Sequence, residues 1–179
     1  MKRALAVALV AMCMSAGVIL AQAPPPMPKP GPAHKRIGYF VGKWTSEGEM
    51  KQSPFGPAGK YTGTDRSEWF PGGFFLVLHS DEKGPLGEFK ALAVMGYNPD
   101  EKVYTYNAFN SMGMAESSRG TVQGDTWTWL SESKMGGKMT KSRFTIKEVS
   151  PTSYTYKFDT SSDGKTWTNI MEGKATKVK

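Results

Sequence analysis

The chain is poor in the residues that carry most enzyme chemistry. Of its 179 residues one is cysteine, Cys13, and two are histidine, His34 and His79. A single cysteine excludes an intrachain disulfide, and its place in the N-terminal apolar stretch removes thiol chemistry from everything downstream. No Gly-x-Ser-x-Gly, His-Glu-x-x-His, phosphate-binding loop or dinucleotide fingerprint occurs. No run of five or six like charges is present, and no basic stripe with base-stacking aromatics, so nucleic acid is not an expected partner. No apolar run after residue 23 is long enough to span a bilayer, which leaves no integral membrane segment once that stretch is removed. There is no helical pattern long enough to cross back between parallel strands, no internal repeat and no second composition regime. No motif implies a cofactor or a metal, and none sets an oligomeric state.

What the chain does have begins at its N-terminus. Lys2 and Arg3 precede an apolar stretch from Ala4 to Leu20, and Ala21-Gln22-Ala23 is a small-x-small site before Pro24. This pattern predicts a signal peptide over 1–23, cleaved after Ala23, and a secreted or periplasmic product. Removing Lys2 and Arg3 leaves 21 basic against 16 acidic residues, a modest net charge of +5 that solubility accounts for. Residues 24–36 form a Pro-rich linker, with Pro24 to Pro32 reading as an extended spacer. Residues 37–179 then form one domain, long enough to bury a real core.

Ala33 to Phe40 has the spacing of one short helical turn, with Ile37, Phe40 and Val41 on one side. After it the chain reads as strand and turn to the end. Period-two alternation is clear at Tyr61 to Trp69, Val103 to Phe109, Trp127 to Trp129, Phe144 to Ile146 and Tyr154 to Phe158. Pro71-Gly72-Gly73 splits two aromatic runs and has the composition of a type II turn. The run after it, Phe74 to Leu78, is apolar at every position, which predicts a central strand covered on both faces. Turn clusters at Asn98-Pro99-Asp100, Gln123-Gly124-Asp125, Ser150-Pro151-Thr152 and Ser162-Asp163-Gly164 recur about every dozen residues. The expected fold is all-β, an antiparallel up-and-down barrel of about ten strands, closed because closure removes the edge strands.

Gly42-Lys43-Trp44 at the start of the first strand resembles the Gly-x-Trp of lipocalins and their calycin relatives. Pro71-Gly72-Gly73-Phe74-Phe75-Leu76, Met95-Gly96-Tyr97-Asn98 with Tyr104 downstream, Asn110-Ser111-Met112-Gly113 and Asp163-Gly164-Lys165-Thr166-Trp167 follow in order. Together, from Ile37 to Lys177, they resemble the bacterial domain of unknown function 1579 family. The resemblance implies a lipocalin-like or nitrobindin-like barrel in a secreted bacterial protein. It brings no assigned activity and no catalytic residues. Nitrobindin-like relatives bind haem through a histidine on a late strand; nothing after His79 is histidine here, which speaks against that ligation.

In such a barrel, alternate connections share an end. One end has tight polar turns; the other has longer connections carrying Phe55, Leu86, Met112 or Met114, and Met135. Those residues form either a soft apolar rim around a mouth or a plug. Trp127 with Trp129, and Tyr104 with Tyr106, share faces and read as core or as a stacking platform. Arg66 could face inward and pair a ligand carboxylate, whereas Arg143 alternates against Phe144 and Ile146 and should face out. His34 reads as solvated. His79 could act as a base with Glu68 or Asp81 nearby, or simply face solvent. The candidate ligand-binding set is therefore Arg66, His79, Tyr97, Tyr104, Met112, Met114, Trp127, Trp129 and Met135. The favoured reading is a non-catalytic barrel for a small apolar or amphipathic ligand. The alternatives are an isomerase or hydrolase using His79 with a carboxylate, and a cell-envelope interaction module with a packed barrel.

Overall fold

The computed structural model describes residues 27–54, 56–135 and 137–179; the expected signal peptide and Phe55 lie outside the described residues. Ten antiparallel strands close into one barrel. They are β1 (Gly42–Met50), β2 (Gly59–Trp69), β3 (Leu76–Gly84), β4 (Gly87–Asn98), β5 (Val103–Asn110), β6 (Ala115–Gln123), β7 (Thr126–Met135), β8 (Lys138–Ser150), β9 (Ser153–Ser161) and β10 (Thr168–Lys177). Each strand pairs with its sequence neighbours, and β1 pairs with β10 to close the ring. Before β1, a helical turn α1 (Pro32–Arg36) runs into a 3-10 turn at Ile37–Phe40. Among the described residues no helix is long and apolar enough to cross a membrane.

The turns form for the reasons their residues suggest. Phe70 to Gly73 is closed by Gly73 N–H donating to the Phe70 carbonyl at 3.0 Å, with Gly72 at φ 98°, the positive value a type II turn needs at that position. The Asn98 side chain accepts from the backbone N–H groups of Asp100 and Glu101. Asp163 does the same for Lys165 and Thr166, and these bonds pull its carboxyl down to about 2.

The two barrel ends differ. Ile37 and Phe40 are buried in the end that holds the tight turns. Tyr39 Oη lies 2.9 Å from the carbonyls of both Ser150 and Ser153, and Trp44 Nε1 donates to the Phe40 carbonyl at 2.9 Å. Arg36 pairs with Glu148 at 2.7 Å and lies over the Trp127 ring. The helical segment is thus a stopper held by hydrogen bonds as well as by packing. Pro32–Arg36 is helical, and the His34 ring packs edge-on against Phe74 and Tyr97 instead of being solvated.

A one-layer barrel has solvent on its outside, and this corrects the expectation for Phe74 to Leu78. Leu76 is buried inside, but Phe75 faces out and is 43% exposed. Leu92 and Val94 on β4 and Phe109 on β5 are exposed on the same outer surface.

Inside, glycine makes room for rings. Gly48 and Gly173 face each other across the β1–β10 seam. Tyr61 pairs with Gly48 and Tyr156 with Gly173. The two rings lie over the two glycines, and Tyr61 Oη donates to Tyr156 Oη at 2.5 Å. A Cβ on Gly173 would sit 2.5 Å from the Glu47 carbonyl and 2.6 Å from Tyr156 Oη. Gly173→Ala is therefore expected to separate the two hydroxyls and destabilise the fold by about 1–3 kcal/mol, as overpacking does. Urea denaturation beside Tyr156→Phe checks this, because the phenylalanine variant loses the hydroxyl and its bonding but keeps the ring.

Candidate functional site

The barrel encloses a cavity of about 360 Å³. Its closed end is floored by Phe40 and Trp44 beneath the stopper. Towards the other end it reaches Glu82 and Phe89 around the β3–β4 turn, Asn110 and Glu116 beside the β5–β6 turn, and Phe158 and Met171. The volume is in the range of small-molecule sites.

The pleat decides which side chains enter it. On β2 the odd positions face in, placing Tyr61, Asp65 and Ser67 on the cavity. On β3 the even positions do, and Leu78 is followed inward by Ser80 and Glu82. Asp65 is paired in register with Ser80, whose Oγ donates to Asp65 Oδ1 at 2.5 Å. Glu82 stands opposite Gly63, where a Cβ would approach Glu82 Cγ to 3.1 Å, so the glycine leaves space for the Glu82 stem. No hydrogen bond or ion pair holds the Glu82 carboxyl among the described residues.

Burial sets the electrostatics. Desolvation pushes Glu82 up to about 7, and the nearby Asp65 adds to the shift. Asp65 is raised by the same cause, opposed by its bond from Ser80. The Tyr61, Tyr106, Tyr154 and Tyr156 hydroxyls are all raised, chiefly by burial, and stay neutral. Among the described residues no group of three or more His, Cys, Asp or Glu could hold a metal ion.

The candidates from sequence distribute unevenly. Trp129 lines the cavity. Trp127, Tyr104 and Tyr97 also point inward but pack as the closed end's core: Tyr104 lies 5.0 Å from Tyr97 and 4.8 Å from Trp127, and Trp127 Nε1 donates to Glu148 at 2.6 Å. Met112 and Met114 are half exposed in the β5–β6 connection at the open end, as is Leu86 in the β3–β4 turn, which is where a rim would be. Met135 is the last residue of β7, and its side chain lies outside the described residues. Arg66 and His79 are corrections. They pair with each other in register on the exposed outer wall, and His79 is flanked on its other side by Leu92. Asp81 also faces out and pairs with Lys90 at 2.9 Å, so it serves neither His79 nor the cavity. Arg143 faces out as expected, bonded to Asp159 and stacked 4.3 Å over Trp167.

Sequence reasoning missed Asp65, Glu82 and Tyr154. A usable signal existed for Glu82: it shares parity with Leu76 and Leu78, so any register that buries those leucines takes the carboxylate inside. The folded state keeps Glu82 protonated between about 4.5, its ordinary value, and about 7, where the unfolded chain has already released the proton. Stability should therefore fall as pH rises through that window. Glu82→Gln is expected to raise the melting temperature by a few degrees at about pH 8 and to leave it nearly unchanged at about pH 4. Thermal melts of both chains across that range measure the difference.

Solved structures of similar fold exist at low identity. The crystal structure of Rv2717c from M. tuberculosis is 12% identical with a TM-score of 0.57, covering 83% of this chain and 99% of that one. The S-type phycobiliprotein lyase CPES from Guillardia theta is 10% identical with a TM-score of 0.53, covering 81% and 92%. Both likenesses are of fold. No curated protein matches the chain in sequence. A family model described as "Protein of unknown function (DUF1579)" matches residues 29–177, and the chain belongs to that family.

Proposed function

We propose that this protein is a secreted or periplasmic barrel that binds a small amphipathic molecule in its interior. The observation that carries this reading is the enclosed cavity, whose wall combines aromatic rings with the Glu82 carboxyl and the Tyr106 and Tyr154 hydroxyls, which open on it and which no hydrogen bond holds among the described residues. A packed barrel would not leave about 360 Å³ at its centre, and polar groups that open on that space are free to bond a molecule inside it. A small core of unoccupied space is also unfavourable in itself. The exposed Leu86, Met112 and Met114 suit an entrance, since an apolar rim lets an amphipathic molecule pass without meeting a polar barrier. Nothing favours catalysis through His79, which lies on the opposite side of the wall from the cavity.

The neutral fluorophore N-phenyl-1-naphthylamine tests the reading. Ala91 lines the cavity, and Ala91→Phe should lower the probe's affinity by at least about tenfold, the scale on which pocket shape discriminates. His79→Ala should change it less than about twofold, because an outer-wall side chain touches nothing inside. Equal binding by all three chains would place the probe elsewhere and overturn the reading. Export should leave a chain beginning at Pro24, and intact-mass measurement on the periplasmic fraction checks the compartment.

A further inference from the structure

Every charged side chain on the cavity wall is acidic. Asp65, Glu82 and Glu116 line it; among the described residues no lysine, arginine or histidine does. This holds in a chain that is basic overall, with 23 Lys and Arg against 16 Asp and Glu, so the interior runs against the composition. The lysines near these strands face outward, as Lys90 and Lys174 do in their exposed pairs with Asp81 and Glu47.

A second, independent observation concerns groups that carry no charge. Tyr106 and Tyr154 are enclosed by the barrel and line the cavity, and neither hydroxyl has a hydrogen-bond partner among the described residues. A phenol hydroxyl can accept as well as donate. The tyrosines therefore set hydrogen-bonding capacity beside the carboxylates without supplying a counter-charge. Trp129, Phe89 and Phe158 add ring faces to the same wall, and ring faces attract cations.

Resting on the reading of the cavity as a binding site, we propose that its ligand is an organic cation: an ammonium or amidinium group on an apolar or aromatic body, held by Asp65 and Glu82 with Tyr106 and Tyr154 beside it. The carboxylates and hydroxyls accept from its N–H donors, and the rings cover the remainder. A bare metal ion does not fit, because the carboxylates are not gathered into a ligand set and the space is many times an ion's size. An anionic ligand would meet three carboxylates and no cation. The Glu82 carboxyl opens on the cavity with no hydrogen bond or ion pair among the described residues, and a bound cation supplies that partner.

The groups around Glu82 set the pH response. Asp65 and Tyr61 face it from β2, Tyr106 from β5, Tyr156 from β9, while Glu116 on β6 and Tyr154 on β9 act on Tyr106 and Asp65 beside it. Glu47, Asp81, Lys83, Glu88, Lys90 and Lys174 line a second pocket that Glu82 also borders, and there Lys90 pairs with Asp81 and Lys174 with Glu47. The tyrosines stay neutral, so of the groups on the interior cavity the carboxylates alone titrate. Affinity for a cation should fall as pH drops below the value at which Glu82 takes up its proton.

Calorimetric titration with three probes of one size separates the possibilities: naphthylethylammonium, naphthylethanol and naphthylacetate. At about pH 8 the ammonium should bind at least about tenfold more tightly than the alcohol, and the acetate least tightly of the three. The ammonium-to-alcohol ratio should shrink at about pH 5, where Glu82 is protonated. Glu82→Gln with Asp65→Asn should bring the ratio near one at both pH values. Equal affinity for ammonium and alcohol in the wild-type chain would overturn the cation inference and leave small-molecule binding standing. Preference for the acetate would overturn it too. Binding of none of the three, together with no binding of the neutral fluorophore, would overturn both readings. The wild-type probe series and its pH dependence decide the matter even if a double variant fails to fold.

Discussion

A barrel exists only if its first and last strands meet, and here that meeting is between two strands that carry glycine where they cross the interior. Gly48 and Gly173 lie opposite one another on β1 and β10. Their missing side chains let Tyr61 and Tyr156 lean in from β2 and β9 until the hydroxyls touch. Four neighbouring strands are thereby tied across the closing seam by one hydrogen bond over two bare backbones. Backbone pairing alone would close the ring, but it would not say how tightly β2 and β9 curve towards each other. The tyrosine pair ties β2 to β9 across the seam, and both rings form part of the cavity wall.

The two ends of the barrel follow different chemistry. At one end Ile37 and Phe40 enter the core, and Arg36 and Tyr39 tie the stopper to the β6–β7 and β8–β9 turns. Burial pushes the Tyr39 hydroxyl up to about 12, so that it remains a donor. At the other end no helical segment covers the strands among the described residues, and the connections present apolar side chains to solvent. On the proposed reading a molecule enters at this end and meets the carboxylates of the wall. Asp65 and Glu82 stand on a cavity wall to which no basic side chain contributes among the described residues, which is the arrangement that makes their charge matter most inside it.

Much of the architecture was readable along the chain. The alternation from Tyr61 to Trp69 and from Tyr154 to Phe158, the Gly72 turn and the Asn98 and Asp163 turns depend on a residue and its near neighbours. The site was less readable because its residues are partners across strands. Arg66 and Asp65 are adjacent in sequence yet lie on opposite sides of the wall. Which of them entered the barrel turned on the pairing of Asp65 with Ser80, a relation between β2 and β3 that the alternation of either strand leaves open by one residue. The same one-residue choice put His79 outside and Glu82 inside.

The sequence by itself determined the strand count, the turn positions and the helical turn before β1, because each arises from local backbone preference and from the period of apolar residues. Only the tertiary structure decided that the barrel is hollow and that its hollow is acidic. Both depend on how side chains from distant strands share one interior volume. Gly63 leaves room for Glu82, Gly48 and Gly173 leave room for tyrosine, and the aromatic rings that fill the stoppered end leave the middle open. Packing of that kind is a property of all ten strands together, and no stretch of the chain encodes it alone.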